Sequence, residues 1–358
     1  LKLGSETAIM LSLPRASFSP NVSLALEGRS TRGGLRRCDF LDGRWMQIGG
    51  ASCVASYVAG IGKRGRRKVA TTLAARNPDV SEATPRGGAT VVISGGSQGV
   101  GRATALKFAQ AGYNVVLAAR NEEALREAEK LCLDAVQPGR AVLAVSCDIT
   151  SPESIEELEQ RVASQFTDLR VVVCNAGVCM TGDFLSHSLD DFASQMNVNF
   201  LGHVSTVRAF LPQLLARVKR GSGVTPTVCF VNSFGGRLPL PDMTAYCASK
   251  YALQGFSDSL RLELSQKGVH VSTVHPGVIR SDFRERAQWR GEGNQRQKMM
   301  DNLLDGKAPL SGTVTQSVDE IADAVFDAVQ RKQTEVVVGL PFQAALGAFG
   351  ISKVLGIN

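Results

Sequence analysis

Two residues one helical turn apart carry the chemistry that this sequence suggests most directly. Tyr246 and Lys250 lie four positions apart in the segment Tyr-Cys-Ala-Ser-Lys, so a helix would present both on one face. A phenol with a pKa of about 10 transfers protons poorly at neutral pH, whereas a neighbouring ammonium favours the phenolate and lowers that pKa. The pair predicts a proton donor or acceptor. A half-buried helix tyrosine is, however, the commoner meaning of this spacing alone.

A glycine-rich turn suggests the second chemical function. Glycines at 95, 99 and 101 follow a short apolar run and precede a helical segment, which is where backbone can approach a pyrophosphate. The unpaired N–H groups and the dipole of the helix favour that negative charge. The turn predicts dinucleotide binding by Ser94, Gly95, Ser97, Gln98, Gly99, Val100 and Gly101.

The residue after the second apolar run bears on which dinucleotide is bound. An acidic residue at this point would bind the ribose 2′-hydroxyl of NAD, but the sequence has Ala119 followed by Arg120. The planar fork of an arginine suits a 2′-phosphate. We therefore expect NADP(H) in preference to NAD(H). A solvated surface arginine is the alternative meaning, and Gln98 stands where a second basic residue often helps.

Short apolar runs alternate with helical segments from residue 88 onward. The predicted strands are 89–93, 114–119, 141–147, 171–174, 227–231, 270–274 and 334–338, and the predicted helices are 102–111, 122–136, 152–166, 188–219, 244–267 and 318–331. This alternation predicts an α/β fold with a doubly wound parallel sheet, the Rossmann fold. We expect one domain over 88–340. Residues 282–315 break the rhythm before the last helix and strand, which predicts a substrate lid.

Charge and cysteine usage exclude other classes of function. The net charge is +7, but residues 1–88 hold 14 basic and 6 acidic residues, so the remainder is close to neutral. A neutral folded part lacks the electrostatic footprint of a nucleic-acid-binding protein. The eight cysteines and four histidines show no metal-ligand spacing, so we expect reduced, buried thiols and no metal.

The two ends of the chain differ from its middle. Residues 1–87 are rich in Arg and Ser and poor in acids, which is typical of an organellar transit peptide, and we expect this leader to be mostly disordered. Its length and hydroxyl content favour the chloroplast over the mitochondrion. Residues 341–358 form an apolar, weakly helical extension that could cover the site, pack in an oligomer or touch a membrane surface.

Taken together and in order, these segments resemble the short-chain dehydrogenase/reductase family. The resemblance rests on the glycine turn, Cys147-Asp148-Ile149, Asn175-Ala176-Gly177, Asn199-Phe-Leu-Gly202, Ser233, Tyr246-x-x-x-Lys250 and Pro276-Gly277. It covers about residues 88–340, and Ser233 lies 13 positions before Tyr246, as the family pattern asks. Two departures, Ser94 and Ser281 in place of threonines, keep the hydroxyl group.

The resemblance implies a role for each matching residue. Tyr246 would exchange the proton of the carbonyl oxygen, Ser233 would hydrogen-bond that oxygen, and Lys250 would lower the pKa of Tyr246 and hold the nicotinamide ribose. Asn199 would seat a water of the proton relay. The cofactor would also contact Asp148, Ile149, Asn175, Ala176, Gly177, Pro276, Gly277, Val278 and Ser281.

The resulting expectation is an enzyme that moves a hydride between NADP(H) and a carbonyl or alcohol. The arginines and apolar residues of 282–315 suit a lipophilic or amphipathic substrate. The family also implies a homodimer or homotetramer. Two alternatives stay open: a non-catalytic, NADP(H)-binding structural or regulatory subunit, and an epimerase of the related extended group. Loss of turnover on removal of the Tyr246 hydroxyl would separate the first alternative from an enzyme.

Overall fold

The computed structural model describes residues 87–221, 223–280, 287–291, 298, 301–302, 305–307 and 315–355. Residues 1–86 of the predicted leader, Ser281 and most of the predicted lid lie outside these residues. Side chains are described up to residue 350.

Seven parallel strands form the central sheet. In chain order these are β1 (Thr90–Ser94), β2 (Asn114–Ala119), β3 (Val142–Ser146), β4 (Leu169–Cys174), β6 (Thr227–Val231), β7 (His270–His275) and β11 (Glu335–Val337). Their order across the sheet is β11-β7-β6-β4-β1-β2-β3. The direction of winding reverses between β1 and β4, where the doubly wound fold places its ligand crevice.

Helices cover both faces of this sheet, as a parallel sheet requires. The helices of the βαβ units are α1 (Gly99–Gln110), α2 (Glu122–Ala135), α3 (Pro152–Gln165), α4 (Leu189–Met196), α5 (Gly202–Lys219), α6 (Thr244–Ser265) and α7 (Val318–Gln330). Helices α3, α5 and α6 bury residues such as Leu158, Phe210 and Leu253 on one face. The other face packs against α1, α2 and α7, with Phe108 and Ile321 fully buried there. The predicted doubly wound α/β fold is confirmed.

Short strand pairs at the carboxyl edge were not predicted. β5 (Met180–Thr181) pairs with β9 (Gln288–Trp289), and β8 (Val278–Arg280) pairs with β10 (Thr315–Ser317). Pairs of two or three residues carry too little periodicity to be recognised from sequence. They matter because β9 belongs to the predicted lid and β8 follows Pro276-Gly277.

The long helical stretch predicted over 188–219 is interrupted by a π-helical turn. Helix α4 passes into a π turn at Asn197–Leu201 and then into α5. Such a turn inserts one extra residue and is frequent at functional sites. Asn199 lies in this turn and is fully buried.

The C-terminal extension is more regular than the sequence predicts. Residues Leu340–Leu355 form a single helix, α8. Among the described residues, no helix combines the length and the apolar character needed to cross a membrane. Contact of the extension with a membrane surface stays a prediction.

Candidate active site

The predicted site residues converge where the strands end. The glycine turn follows β1, Asn175–Gly177 follows β4, Ser233 follows β6 and Pro276 follows β7. These four strands are neighbours in the sheet, so their carboxyl ends meet at one edge. The structure therefore brings together segments that are about 180 positions apart in the chain.

Two glycines of the turn are required by close approach of backbone. A Cβ on Gly101 would overlap the carbonyl oxygen of Gly95 and the side chain of Asn175, and Gly95 also has a positive φ of 66°. The Asn175 amide donates to the carbonyl oxygens of Ser94 and Gly95, at 3.1 Å in each case. Only glycine at these two positions lets the turn fold this tightly against Asn175.

The helix that follows the turn is suited to an anion. The first turn of α1 holds no acidic residue, as is also true of α5 and α6, whereas α2, α3, α4 and α7 each begin with at least one. Gln98 is the N-cap of α1, but its side chain makes no capping hydrogen bond. The positive end of this helix is therefore not neutralised by its own side chains.

Some predicted cofactor contacts lie beneath the turn rather than at its surface. The Ser94 hydroxyl accepts hydrogen bonds from the N–H groups of Asn175 (3.0 Å) and Ala176 (3.3 Å), so it joins the ends of β1 and β4. Ser97 is buried, and the Ile149 side chain packs directly under Gly202. A cofactor contact from Ile149 would thus come from its backbone.

Arg120 and Asp148 form the far end of the cleft. Arg120 follows β2 with its side chain 65% exposed, and its guanidinium lies 3.9 Å from a carboxylate oxygen of Asp148. Burial alone would raise the pKa of Asp148, but hydrogen bonds from the Thr150 N–H and hydroxyl, helped by Arg120, hold it below its usual value. Asp148 is therefore an anion, and Arg120 keeps most of its donors available.

Tyr246 and Ser233 face each other across the site. Although part of the Tyr246 ring retains exposure, its phenol end lies deep, beside Ser233, Cys179 and Cys247. Burial raises the pKa of Tyr246, and a hydrogen bond with the Ser233 side chain opposes that rise. This differs from the expectation that Lys250 lowers the pKa. The physical reason is that desolvation of the phenolate dominates in a buried site.

Lys250 lies beneath the tyrosine. Its ammonium nitrogen is 5.9 Å from the centre of the Tyr246 ring and 3.4 Å from the carbonyl oxygen of Val231. Burial lowers the pKa of Lys250 to about 8. The lysine therefore still carries its charge at pH 7, but its pKa lies close enough to neutral pH that small changes in its surroundings alter its protonation.

Replacing this lysine is expected to stabilise the protein while removing its activity. Since folding lowers the pKa of Lys250 from 10.5 to about 8, the cost of burying its charge is fully present below pH 8 and is relieved as the pH rises from 8 to 10.5. Lys250→Met should raise the unfolding free energy at pH 7 by about 1–3 kcal/mol. Thermal unfolding of both proteins at pH 7 and pH 10 measures this, and the advantage of the variant should shrink at the higher pH. A lower melting temperature at pH 7 would show that the ammonium stabilises the fold.

Asn199 is held from three directions. Its amide nitrogen donates to the carbonyl oxygen of Val178 (2.9 Å) and to the hydroxyl of Ser249 (3.0 Å), and its oxygen accepts from the N–H of Val178 (2.8 Å). A Cβ on Gly177 would lie 3.2 Å from that oxygen and 3.8 Å from the Lys250 nitrogen. The π turn therefore places Asn199 against the same pocket as Lys250, with its side chain fully engaged. A water of a proton relay would have to bind to its backbone.

The turn at Pro276-Gly277-Val278 is fixed by residues that follow it by 40 to 65 positions. The Gly277 N–H donates to the Gln316 side chain at 2.8 Å, and Gln316 donates in turn to the Val338 carbonyl oxygen. The Phe342 ring of α8 covers Gly277 and packs edge-on against Phe234, with 4.7 Å between ring centres. Helix α8 thus supports the site from behind this turn.

The described part of the lid is anchored by one charged contact. Arg290, which follows β9, binds Asp191 of α4 through two nitrogens, the shortest distance being 2.7 Å. This contact is the main reason why the pKa of Asp191 lies well below its usual value. The Arg290 N–H also donates to the carbonyl oxygen of Thr181 at 2.8 Å. The lid segment around Arg290 is therefore held next to β5.

The described cysteines are free and buried, namely Cys132, Cys147, Cys174, Cys179, Cys229 and Cys247. Burial raises the pKa of the Cys179 thiol, which lies near Lys250, to about 12. In the described part of the chain, His, Cys, Asp and Glu side chains form no cluster that could hold a metal ion.

Sequence reasoning missed the residues that support the site from behind, such as Gln316, Phe342, His275 and Glu335. Only His275 had a signal, since it directly precedes Pro276. The others belong to later elements that reach the site through long-range packing.

Comparison with known proteins assigns the family. A family model described as short chain dehydrogenase matches residues 89–290. A Drosophila melanogaster protein named dehydrogenase/reductase SDR family protein 7-like is 34% identical over 253 residues, which is 70% of this chain and 72% of that one. The chain belongs to the short-chain dehydrogenase family. It is accordingly an oxidoreductase, and its fold matches that of solved members of this family.

Other relatives and solved structures agree. The Bos taurus dehydrogenase/reductase SDR family member 7B is 30% identical, covering 71% of this chain and 74% of that one. A metagenomic short-chain oxidoreductase solved in complex with NADP is 29% identical with a TM-score of 0.54, covering 71% of this chain and 97% of that one. A Burkholderia phymatum short-chain dehydrogenase/reductase solved with NAD has a TM-score of 0.64 at 23% identity, covering 78% and 97% of the two chains, and supports the fold alone.

Proposed function

We propose that this member of the short-chain dehydrogenase family is an NADP(H)-dependent oxidoreductase that interconverts a ketone or aldehyde and the corresponding alcohol. The observation that carries the proposal is the Tyr246 phenol, hydrogen-bonded to Ser233 and backed by the buried Lys250. Two neighbouring hydroxyl groups of this kind support a site in which one would hydrogen-bond a carbonyl oxygen and the other would protonate it.

The residues of this chain divide the work of the reaction. Ser233 hydrogen-bonds the carbonyl oxygen, and Tyr246 delivers its proton to that oxygen as negative charge develops there. In a buried site with a raised pKa, the phenol is protonated at neutral pH and ready for reduction. Bound NADPH would supply the hydride. Proton transfer to Tyr246 would come from the side of Lys250, which burial brings to a pKa of about 8.

Three features at the carboxyl edge of the sheet support binding of a phosphorylated dinucleotide. The glycine turn and the acid-free start of α1 suit the pyrophosphate, and the exposed guanidinium of Arg120 suits a 2′-phosphate. The Asp148 carboxylate, 3.9 Å from the Arg120 guanidinium, partly offsets its positive charge. We infer that NADP(H) is bound in preference to NAD(H).

Replacing Arg120 tests the preference for NADP(H) over NAD(H). The full chain and its Arg120→Ala variant are titrated with NADPH and with NADH by nucleotide fluorescence. Wild type should bind NADPH at least about tenfold more tightly, which equals about 1.4 kcal/mol, and the variant should lose that preference while binding NADH as before.

Arg126→Ala is the matched control, because Arg126 is an exposed arginine one turn into α2 whose partner is Glu122 of the same helix. It should leave both affinities unchanged. Equal binding of the two nucleotides by wild type would assign NAD(H) to this site. Failure to bind either nucleotide would contradict the proposal that the chain is a dinucleotide-dependent enzyme.

An apolar or amphipathic carbonyl compound is the substrate class that we propose. Three large apolar side chains near the lid strand β9 are well exposed: Phe184 (63%), Leu185 (89%) and Leu189 (86%). A series of ketones and aldehydes of increasing chain length, assayed with NADPH, should give KM values that fall with length. A flat series would contradict an apolar substrate.

A further inference from the structure

A buried histidine connects the reacting serine to the edge of the sheet. His275, the last residue of β7, is fully buried, and its Nδ1 atom lies 3.0 Å from the carbonyl oxygen of Ser233. Its Nε2 atom lies 3.1 Å from a carboxylate oxygen of Glu335 in β11, whose side chain is 31% exposed. That same oxygen is 2.6 Å from the guanidinium of Arg237. A continuous polar contact thus runs from the rim of the sheet to the backbone of Ser233.

Both groups that face the imidazole are acceptors. A peptide carbonyl and a carboxylate offer no proton, so either neutral tautomer of His275 would leave a nitrogen lone pair against an oxygen. The Nδ1–H donates to the Ser233 carbonyl oxygen, and an imidazolium would present a second N–H toward Glu335. Nε2 makes no aligned hydrogen bond with the Glu335 carboxylate 3.1 Å away, so a protonated ring would meet this carboxylate as an ion pair.

The charges around Glu335 support that ion pair. The contact with His275 lowers the pKa of Glu335 most strongly; burial opposes this, and the guanidiniums of Arg237 and Arg261 add to the lowering. Glu335 of β11 is therefore a carboxylate. The charged groups nearby are Arg237, which follows Ser233 in the chain, and Arg261 of α6.

The backbone held by His275 is the backbone of the site. The N–H of Phe234, directly after Ser233, donates to the carbonyl oxygen of Pro276 at 2.8 Å. The carbonyl oxygen of His275 itself accepts from the N–H of Val338 at 3.0 Å. Rotation of the Ser233 peptide would therefore disturb both the hydroxyl that faces Tyr246 and the turn at Pro276.

We propose that His275 and Glu335, as a buried ion pair, are positioning residues that hold the Ser233 hydroxyl in line with Tyr246. The proposal rests on the proposed function, because it takes Ser233 as the group that binds the substrate oxygen. A purely structural ion pair would support folding and leave the reaction rate of the folded enzyme unchanged.

The test uses the full chain and its Glu335→Gln and Arg237→Gln variants. Gln keeps the size of Glu335 but loses its charge, and the partly exposed edge position favours folding. Glu122→Gln is the matched control, since Glu122 pairs with Arg126 on the exposed face of α2. Three properties are measured: kcat and KM for a carbonyl substrate, the Kd for NADPH, and the ¹⁵N signals of the histidine rings. The chain has only four histidines, and His275→Asn identifies the relevant signal.

Wild type should show His275 with both ring nitrogens protonated, and Glu335→Gln should abolish that pattern. The kcat of Glu335→Gln should fall by about 10- to 100-fold, with the Kd for NADPH within about twofold of wild type. Arg237→Gln should give a smaller loss, and Glu122→Gln none. His275→Asn should retain part of the activity lost in a His275→Ala variant, because the Asn amide can still donate to Ser233.

Two results would overturn the positioning role. A neutral His275 ring in wild type would show that there is no ion pair with Glu335. An unchanged kcat in Glu335→Gln would show that the contact does not affect Ser233. Absence of turnover in wild type itself, with either nucleotide, would instead overturn the proposed function and the positioning role with it. A doubly protonated His275 ring would in that case indicate an ion pair with Glu335 that has a structural role only.

Discussion

Tyr246→Phe is expected to lower kcat by at least about a hundredfold while leaving the Kd for NADPH nearly unchanged. The hydroxyl is the proton donor in the proposed reaction, and it lies beside Ser233 at the point where the substrate oxygen would bind. The ring stays in place in the variant, so the packing against Gly235, whose nearest neighbours include this ring, is kept. Steady-state assays with NADPH and a carbonyl substrate, together with fluorescence titration, measure both quantities.

Tyr251→Phe provides the matched control. Tyr251 lies on the same helix, α6, five positions further on, and its side chain faces solvent. Removing its hydroxyl should leave kcat at the wild-type value. If Tyr246→Phe kept full turnover, the phenol would have no part in proton transfer. A chain that bound NADPH without any turnover in wild type would be the non-catalytic subunit that the sequence leaves open.

Gly101→Ala is expected to weaken NADPH binding by about tenfold or more. The added Cβ would overlap the carbonyl oxygen of Gly95 and the Asn175 side chain, and neither the backbone nor a side chain with two hydrogen bonds can move aside cheaply. Overpacking of this kind costs about 1–3 kcal/mol. The strain falls on the loop that would carry the pyrophosphate, so affinity and melting temperature should both decrease.

Gly347→Ala is the matched control for that substitution. Gly347 lies inside α8, and a Cβ there meets no atom within 4 Å. Alanine should stabilise the helix by about 0.5–1 kcal/mol and leave the affinity for NADPH unchanged. Equal affinity of Gly101→Ala and wild type would mean that the glycine turn relaxes without cost or does not contact the nucleotide.

The sequence predicts the fold well where burial fixes the pattern. The bounds of β2 and β6 were predicted correctly, because each is an apolar run with polar or turn residues on both sides. Tyr246, Lys250, Ser233 and the glycine turn are brought together as the family resemblance implies. Their catalytic and binding roles stay predictions, as does the role of Ser281, which lies outside the described residues.

Other features could not be predicted because they depend on long-range contacts or on small energy differences. The π turn at Asn197–Leu201 differs from a continuous helix by one shifted set of hydrogen bonds, which composition does not reveal. The contact between His275 and Glu335 depends on the pairing of β7 with β11, which are 60 positions apart. The pKa of Tyr246 was expected to fall and instead rises, since spacing shows the lysine but not the depth of burial.

The support given by β11 and α8 has a consequence for synthesis of the chain. All other strands of the sheet are made before residues 335–342, yet Glu335, Val338 and Phe342 hold the segments that follow β6 and β7. A nascent chain in which the glycine turn, Ser233 and Tyr246 have already been synthesised still lacks these supporting contacts. If the chain binds a nucleotide as proposed, firm binding is therefore expected only after the last strand and the start of the last helix have left the ribosome, and early capture of cofactor by an incomplete chain is disfavoured.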